Sequence, residues 1–186
     1  MKVIIVSGSP KSEGLSCSCV EAARTGVLEA GAECEVIKLH NYKLSRCAVC
    51  DDGWGICQKE HKCAFGIDGF SAIQDKLSGA EALVLVSPVY WGDITEDMKA
   101  FFDRYRRCEA TLAEKGGIAG KSVLIIAAPG GSGNGLISCL EQMDRLCSHL
   151  RAKVFDFVGV NRRNREYKLE AITRAAFAMV KYISST

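Results

Sequence analysis

The 186-residue sequence contains no long hydrophobic run. Nothing in it approaches the ~18–20 consecutive apolar residues that a membrane-spanning helix needs. It also lacks an excess of charge of one sign. Its 24 lysines and arginines face 22 aspartates and glutamates, a balance that argues against nucleic acid or another polyanionic partner. At the N-terminus only Val3–Val6 follow Lys2 as an apolar run, too short for a secretory leader, so the expected location is cytoplasmic. Histidine is scarce: His40, His61 and His149 are the only three. No Ser-His-Asp or paired-carboxylate pattern is readable, so no catalytic base is assigned. Internal repeats and low-complexity tracts are missing. Two nucleotide-binding signatures are absent as well. After the first apolar run the glycines fall at Gly8 and Gly14, which breaks G-x-G-x-x-G. The Gly120-Lys121-Ser122 triplet has Lys115 where a phosphate-cradling loop needs glycine, and it precedes a strand where that motif follows one.

With 48% apolar and 25% charged residues the chain reads as an ordinary globular protein. Its length suits a single domain spanning 1–186, large enough to bury a core without covalent staples. Five apolar runs rich in β-branched residues, Val3–Ser7, Cys34–Leu39, Ala82–Ser87, Ser122–Ala128 and Val154–Val160, alternate with helix-like stretches. The helices are expected near Leu15–Ala30, Gly69–Leu77, Thr95–Arg107, Leu136–Leu150 and Arg165–Ile183. The fourth carries Leu136, Leu140, Met143, Cys147 and Leu150 on one face. Thr95 is placed to cap the third, with Glu96 and Asp97 in its first turn, and Lys99–Asp103 and Asp103–Arg107 are i,i+4 pairs. Such alternation means a doubly wound α/β fold, a parallel sheet with helices on both faces. Central strands read as unbroken apolar runs. The second run carries Glu35 and Lys38 and the fifth carries Asp156, so these two belong at the edges and the order 2-1-3-4-5 follows. Residues 41–66 show no period and are read as an ordered insert after the second strand.

In an open α/β sheet, ligands bind beyond the carboxyl ends of the strands where the order reverses. In this order that point lies between strands one and three. The first loop there, Gly8–Ser16, opens a helix whose free N–H groups favour an anion. Ser9, Lys11, Ser12 and Ser16 can donate to a phosphate, and Glu13 should point away. The second, Pro88–Asp93, offers Tyr90 and Trp91 to a planar ring. The nearly side-chain-free Pro129–Gly135 loop, with Gly130 and Gly131, lets backbone approach a ligand closely.

The stretches GSPKSEGLS (8–16), SPVYWGD (87–93) and MKAFFDR (98–104) resemble the flavodoxin-fold NAD(P)H-dependent FMN reductases. That group includes iron–sulfur flavoproteins and quinone-reductase-like enzymes, and the likeness covers nearly the whole chain. The resemblance implies a flavodoxin-like sheet holding FMN, with the phosphate on Ser9, Lys11 and Ser16. It sets the isoalloxazine against Pro88, Val89, Tyr90, Trp91 and Gly92 and the 129–135 loop. It implies hydride transfer from NAD(P)H through FMN to a quinone, free flavin or similar small-molecule acceptor, and a homodimer or homotetramer. One departure is Leu15, where the family often has asparagine.

Ten cysteines are the abundant feature. Four, Cys47, Cys50, Cys57 and Cys63, fall in the insert, and three readings compete for them. Four thiolates can hold an iron–sulfur cluster; they can hold zinc, with His61 able to replace one; or they are free thiols or a disulfide. Iron–sulfur flavoproteins use a compact motif here with two residues between each of the first three cysteines, whereas six, Asp51–Ile56, fill the second gap of this chain. A cluster would make the protein an electron carrier with a ferredoxin-like partner. Trp54 is read as a pocket cover, a subunit contact or loop packing. Cys17 and Cys19 lie at a helix start, where thiol pKa values tend to fall, though burial as small apolar groups is the expectation for both. Cys34, Cys139 and Cys147 are read as packing residues, and Cys108 as a helix end without a role.

Overall fold

A computed structural model describes every residue except Gly66, Ser132 and Thr186. The last residue of the expected insert and the middle of the expected 129–135 loop therefore lie outside the described residues. In chain order the elements are β1 (Lys2–Ser7), α1 (Leu15–Glu29), β2 (Glu33–Lys38), α2 (Cys57–Glu60), α3 (Phe70–Gly79) and β3 (Ala82–Pro88). There follow α4 (Glu96–Glu109), β4 (Ser122–Ala128), α5 (Leu136–His149), β5 (Lys153–Gly159) and α6 (Arg165–Ser184). The short α2 and the 3-10 turns at Leu39–Tyr42 and Ala113–Lys115 have no counterpart among the expected elements.

All strand pairs are parallel and the order is β2-β1-β3-β4-β5. β1, β3 and β4 are buried almost end to end, while β2 and β5 keep exposed positions. This is the distribution that the strand charges predict. Side chains on a strand alternate between the two faces. Ile4, Leu83 and Ile125 therefore pack under α3, α4 and α5, and Val3, Val84 and Leu124 pack under α1 and α6. The β4–β5 register shifts at Val123/Leu124, so Phe155 is left out of the ladder. Its ring lies 5.9 Å from that of Tyr182 on α6.

α1 and α6 meet at Gly26. A Cβ there would lie 2.1 Å from the Thr173 carbonyl oxygen, and Thr173 Oγ1 donates to the Ala22 carbonyl at 3.0 Å. Thr95 caps α4 as expected: its hydroxyl accepts from the Met98 N–H and donates to the Gly8 carbonyl at 2.9 Å. Lys99 pairs with Asp103. The expected Asp103–Arg107 pair gives way to another arrangement. Arg107 donates to the Gly53 carbonyl and lies over the Trp54 ring, 5.0 Å from its centroid, because the insert folds back onto α4. Trp54 thus packs within the chain against Arg107 of α4.

The insert closes at a neck. Gly69 adopts φ +84° and Tyr42 lies against it, so closely that a Cβ would sit 2.5 Å from the ring. One step further in, the Ser45 N–H donates to Asp68 at 2.8 Å.

Candidate functional site

Because the sheet is parallel, the loops after β1, β3, β4 and β5 emerge at one edge. Between them lies a cleft of about 490 Å3, within the ~300–1,000 Å3 usual for small-molecule and cofactor sites. Ser9, Lys11 and Ser16 line one side, Pro88, Val89 and Tyr90 another, and Gly130 a third. These residues come from three loops that are far apart in sequence, and they meet where the strand-order argument puts the ligand.

The first loop is held by its own hydroxyls. The Ser9 N–H donates to Ser7 Oγ and the Lys11 N–H donates to Ser9 Oγ, each at 3.3 Å. Ser9 and Ser16 are buried. α1 starts at Gly14 with no side-chain cap and no acidic residue in its first turn, so its first N–H groups and the positive end of its dipole face the loop. α4 contrasts with it, since Thr95 caps that helix and Glu96 and Asp97 occupy its first turn. Of the two helix starts at the switch point, only that of α1 suits an anion. Ser87 and Thr95 tie the second loop in place: the Thr95 N–H donates to Ser87 Oγ at 3.3 Å, and Ser87 Oγ donates to the Pro88 carbonyl at 2.7 Å.

Other expected site residues stand elsewhere. Ser12 lines a neighbouring cleft with Cys17, Ser18 and Lys38. Trp91 is fully exposed, at 106% of its reference area, with φ +54°. The left-handed turn that lets Tyr90 and Asp93 exchange backbone hydrogen bonds at 2.9 Å sends Trp91 outward into a second cleft. That cleft is shared with Tyr90, Leu44 and Arg46. Gly92 backs onto Gly135, where a Cβ would approach the Gly92 Cα to 2.6 Å. Gly131 is exposed outside the cleft lining. Glu13, expected to point away, lines the cleft. It lines that cleft together with Lys11 and with two residues that the sequence reading missed, Arg162 and Arg165. Arg165 also donates to Ser18 Oγ at 3.0 Å across to α1. Arg162, Arg163 and Arg165 all follow the last strand, and that basic cluster was the signal available in the sequence.

Cys47, Cys50, Cys57 and Cys63 all border one small void of about 20 Å3, together with Arg104 and Arg107. Left-handed backbone at Val49 and Asp51, φ +50° and +49°, turns the chain around Cys50. For a β-branched residue such as Val49 that conformation is strained, and strain of this kind concentrates at functional sites. No disulfide joins the four thiols. Among the described residues no three His, Cys, Asp or Glu side chains converge closely enough to hold one metal ion. His61, the alternative ligand, turns its Nδ1 to the Cys108 carbonyl at 3.0 Å. Cys108 is buried in α4, and it is through its backbone carbonyl that it meets His61 of the insert.

At the centre of this region Arg104 is 1% exposed and paired with Asp68. Burial works against both charges. For Asp68, the hydrogen bonds from Arg104, Ser45 and Phe70 outweigh that burial and hold its carboxyl below the usual range. For Arg104, the hydrogen bonds with Asp68 and Cys63 outweigh it and hold the guanidinium charged. Burial pushes Cys19, Cys108, Cys139 and Cys147 up to about 12. The low value that a helix start suggests for Cys19 is therefore overturned by desolvation.

A sequence profile described as NADPH-dependent FMN reductase matches residues 1–164. The chain belongs to that family. Curated relatives are iron–sulfur flavoproteins. One from Methanocaldococcus jannaschii is 38% identical over 57% of this chain and 52% of its own length. Another, from Methanosarcina thermophila, is 31% identical over 73% of this chain and 66% of its own. The matches thus span about half to two thirds of these relatives. Among solved structures, an NAD(P)H:quinone oxidoreductase from Methanothermobacter marburgensis superposes with a TM-score of 0.73 at 22% identity, over 96% of both chains. An archaeal flavodoxin gives 0.66 at 16% identity, over 99% of each chain. At these identities the structural likeness establishes the flavodoxin-like fold. No helix among the described residues is long and apolar enough to cross a membrane.

Proposed function

We propose that this chain is an FMN-dependent oxidoreductase that takes hydride from NAD(P)H and passes electrons to a quinone, free flavin or similar acceptor. The observation that carries the reading is the switch-point cleft. An uncapped helix start with Ser9, Lys11 and Ser16 stands at one end of it, and Pro88, Val89, Tyr90 and Gly130 stand at the other. The phosphate end of FMN would take the α1 N–H groups and the hydroxyls, while Arg162 and Arg165 add positive charge beside it. The ring would lie on Tyr90 and the backbone of 88–89 and 130, where small residues allow close approach. When bound, the flavin supplies two-electron acceptance and one-electron release. The chain's own residues bind, orient and shield it, and no side chain is assigned a proton-transfer role.

The test is direct. Purified protein supplied with FMN should show a flavin absorption band and turn over NAD(P)H with a quinone. Protein that binds no FMN would sink the reading. Lys11→Ala together with Ser16→Ala should weaken FMN binding by more than tenfold with the fold intact.

A second reading is favoured by the four cysteines around one void: an iron–sulfur flavoprotein that feeds single electrons to a ferredoxin-like partner. The donor set suits a cluster better than zinc. Among the described residues four thiols and no histidine border the void, and the one nearby histidine, His61, is turned to the Cys108 carbonyl. A cluster takes thiolates spread over several irons. Arg104 and Arg107 at the wall offset the negative charge of such a group. Tyr90 lines both the cofactor cleft and a second cleft that reaches Leu44 and Arg46, the residues just before Cys47. Cys47, Cys50, Cys57 and Cys63 would be the ligands. Anaerobic reconstitution followed by iron and sulfide assay decides the matter: less than about one iron per chain removes the cluster. Assembly as a homodimer or homotetramer, with the exposed Trp91 at the contact, is the proposed quaternary state and is read by sedimentation of wild type and Trp91→Ala.

A further inference from the structure

Arg104 has five N–H donors, and all five are used on residues between Ser45 and Asp68. Nε donates to Cys63 Sγ at 3.3 Å. Nη1 donates to the Ser45 carbonyl at 3.2 Å and to Asp68 Oδ2 at 2.5 Å. Nη2 donates to the Phe65 carbonyl at 2.7 Å and to Asp68 Oδ1 at 3.3 Å. Its flat face lies on the Phe70 ring, 4.2 Å from the centroid. A buried guanidinium with every donor satisfied is fixed in place. The bidentate pair with Asp68 sets the plane of the fork, and that plane aims Nε at sulfur. No other side chain among the described residues is seen to donate to one of the four thiols.

We propose that Arg104 is a positioning residue for the four-cysteine site: it orients Cys63 as a ligand and raises the reduction potential of the cluster held there. The inference rests on the iron–sulfur reading above and goes beyond it by naming the residue that sets the potential. Reduction adds one negative charge to the cluster, and that electron comes from the reduced flavin. Hydrogen bonds to a ligand sulfur and a fixed positive charge beside it stabilise the more negative form. Asp68 works against this by partly neutralising the guanidinium. Arg107 serves as the internal comparison. It borders the same void, but it contacts the Gly53 carbonyl and the Trp54 ring, so it supplies charge without a sulfur hydrogen bond.

The experiment is an anaerobic potential titration, read by electron paramagnetic resonance and normalised to loaded cluster, on reconstituted full-length chain. Arg104→Gln should shift the reduction equilibrium about tenfold toward the oxidised form, which is about 59 mV for a one-electron couple. Arg107→Gln should shift it less. Asp68→Asn keeps the shape and Arg104 but removes the countercharge, and should shift the equilibrium the other way. A residue that merely held the loop would lower the iron content and leave the potential of the loaded fraction unchanged. If Arg104→Gln takes up no iron, Asp68→Asn carries the comparison, and an unchanged or lowered potential there overturns the proposal. Equal shifts in the two arginine variants also overturn it, since charge alone would then be responsible. A wild-type chain that takes up no iron fails the cluster reading itself. A loaded wild type with an unchanged Arg104→Gln potential fails only the role of Arg104.

Discussion

Cys19, Cys108, Cys139 and Cys147 are buried and pushed up to about 12. At pH 8 only about one in ten thousand of each would be thiolate, and only the thiolate reacts readily. Iodoacetamide at that pH should leave these four unmodified in the native protein and label them once it is denatured. Native labelling of Cys139 as fast as Cys47 would contradict the packing shown here. Asp68 carries the clearest pH dependence. Its folded carboxyl titrates lower than the unfolded value of about 3.9. The stabilisation it provides is therefore complete above that value and lost as pH falls below it towards the folded pKa. Acid titration followed by hydrogen exchange should show the 45–65 segment opening below about pH 4, and Asp68→Asn should remove that acid step. In the sequence, Cys147 was legible because it sits on an apolar helical stripe. Arg104 was seen only as part of a family-like stretch, since its five acceptors come from positions 45, 63, 65 and 68, and no local pattern encodes that convergence.

At the level of elements, the edge position of β2 and β5 was readable because charge within a strand marks incomplete burial, and Glu35, Lys38 and Asp156 supplied it. The Thr95 cap was readable for a similar reason, since its chemistry is local. The α1–α6 crossing at Gly26 was not, because a mid-helix glycine says nothing about which helix it meets. Intrinsic propensity would make Gly26→Ala stabilising by about 1 kcal/mol. The Thr173 carbonyl 2.1 Å from the added Cβ reverses that sign. The substitution should destabilise by about 1–3 kcal/mol, as overpacking does, lowering the urea midpoint. A raised midpoint would mean that the two helices separate at little cost. The insert defeated periodicity for a related reason: it is held by hydrogen bonds to α4 and by turns at Val49 and Asp51, with no repeating apolar face.

For the whole molecule, the fold was legible because strict strand–helix alternation leaves few topologies. The cleft was legible because topology alone fixes where the loops meet. Which side chains face it was less so. Trp91 is turned outward by a left-handed residue, and Arg162 and Arg165 enter from an element that the switch-point argument does not use. FMN that binds only the folded chain should stabilise it by about 2.7 kcal/mol at a free concentration one hundred times Kd. Thermal unfolding with and without FMN measures this, and an unshifted midpoint would contradict binding in the cleft. The neck of the insert has a consequence of a different kind. Tyr42 against Gly69 and Ser45 against Asp68 bring the two ends of a long excursion back to nearly one place. None of the five strands draws a residue from between them. The stretch inside that neck can therefore change length, six-residue gap between Cys50 and Cys57 included, without moving a strand. Its acceptors at Ser45, Cys63, Phe65 and Asp68 are a different matter, because losing them would leave a buried guanidinium in α4 unpaired.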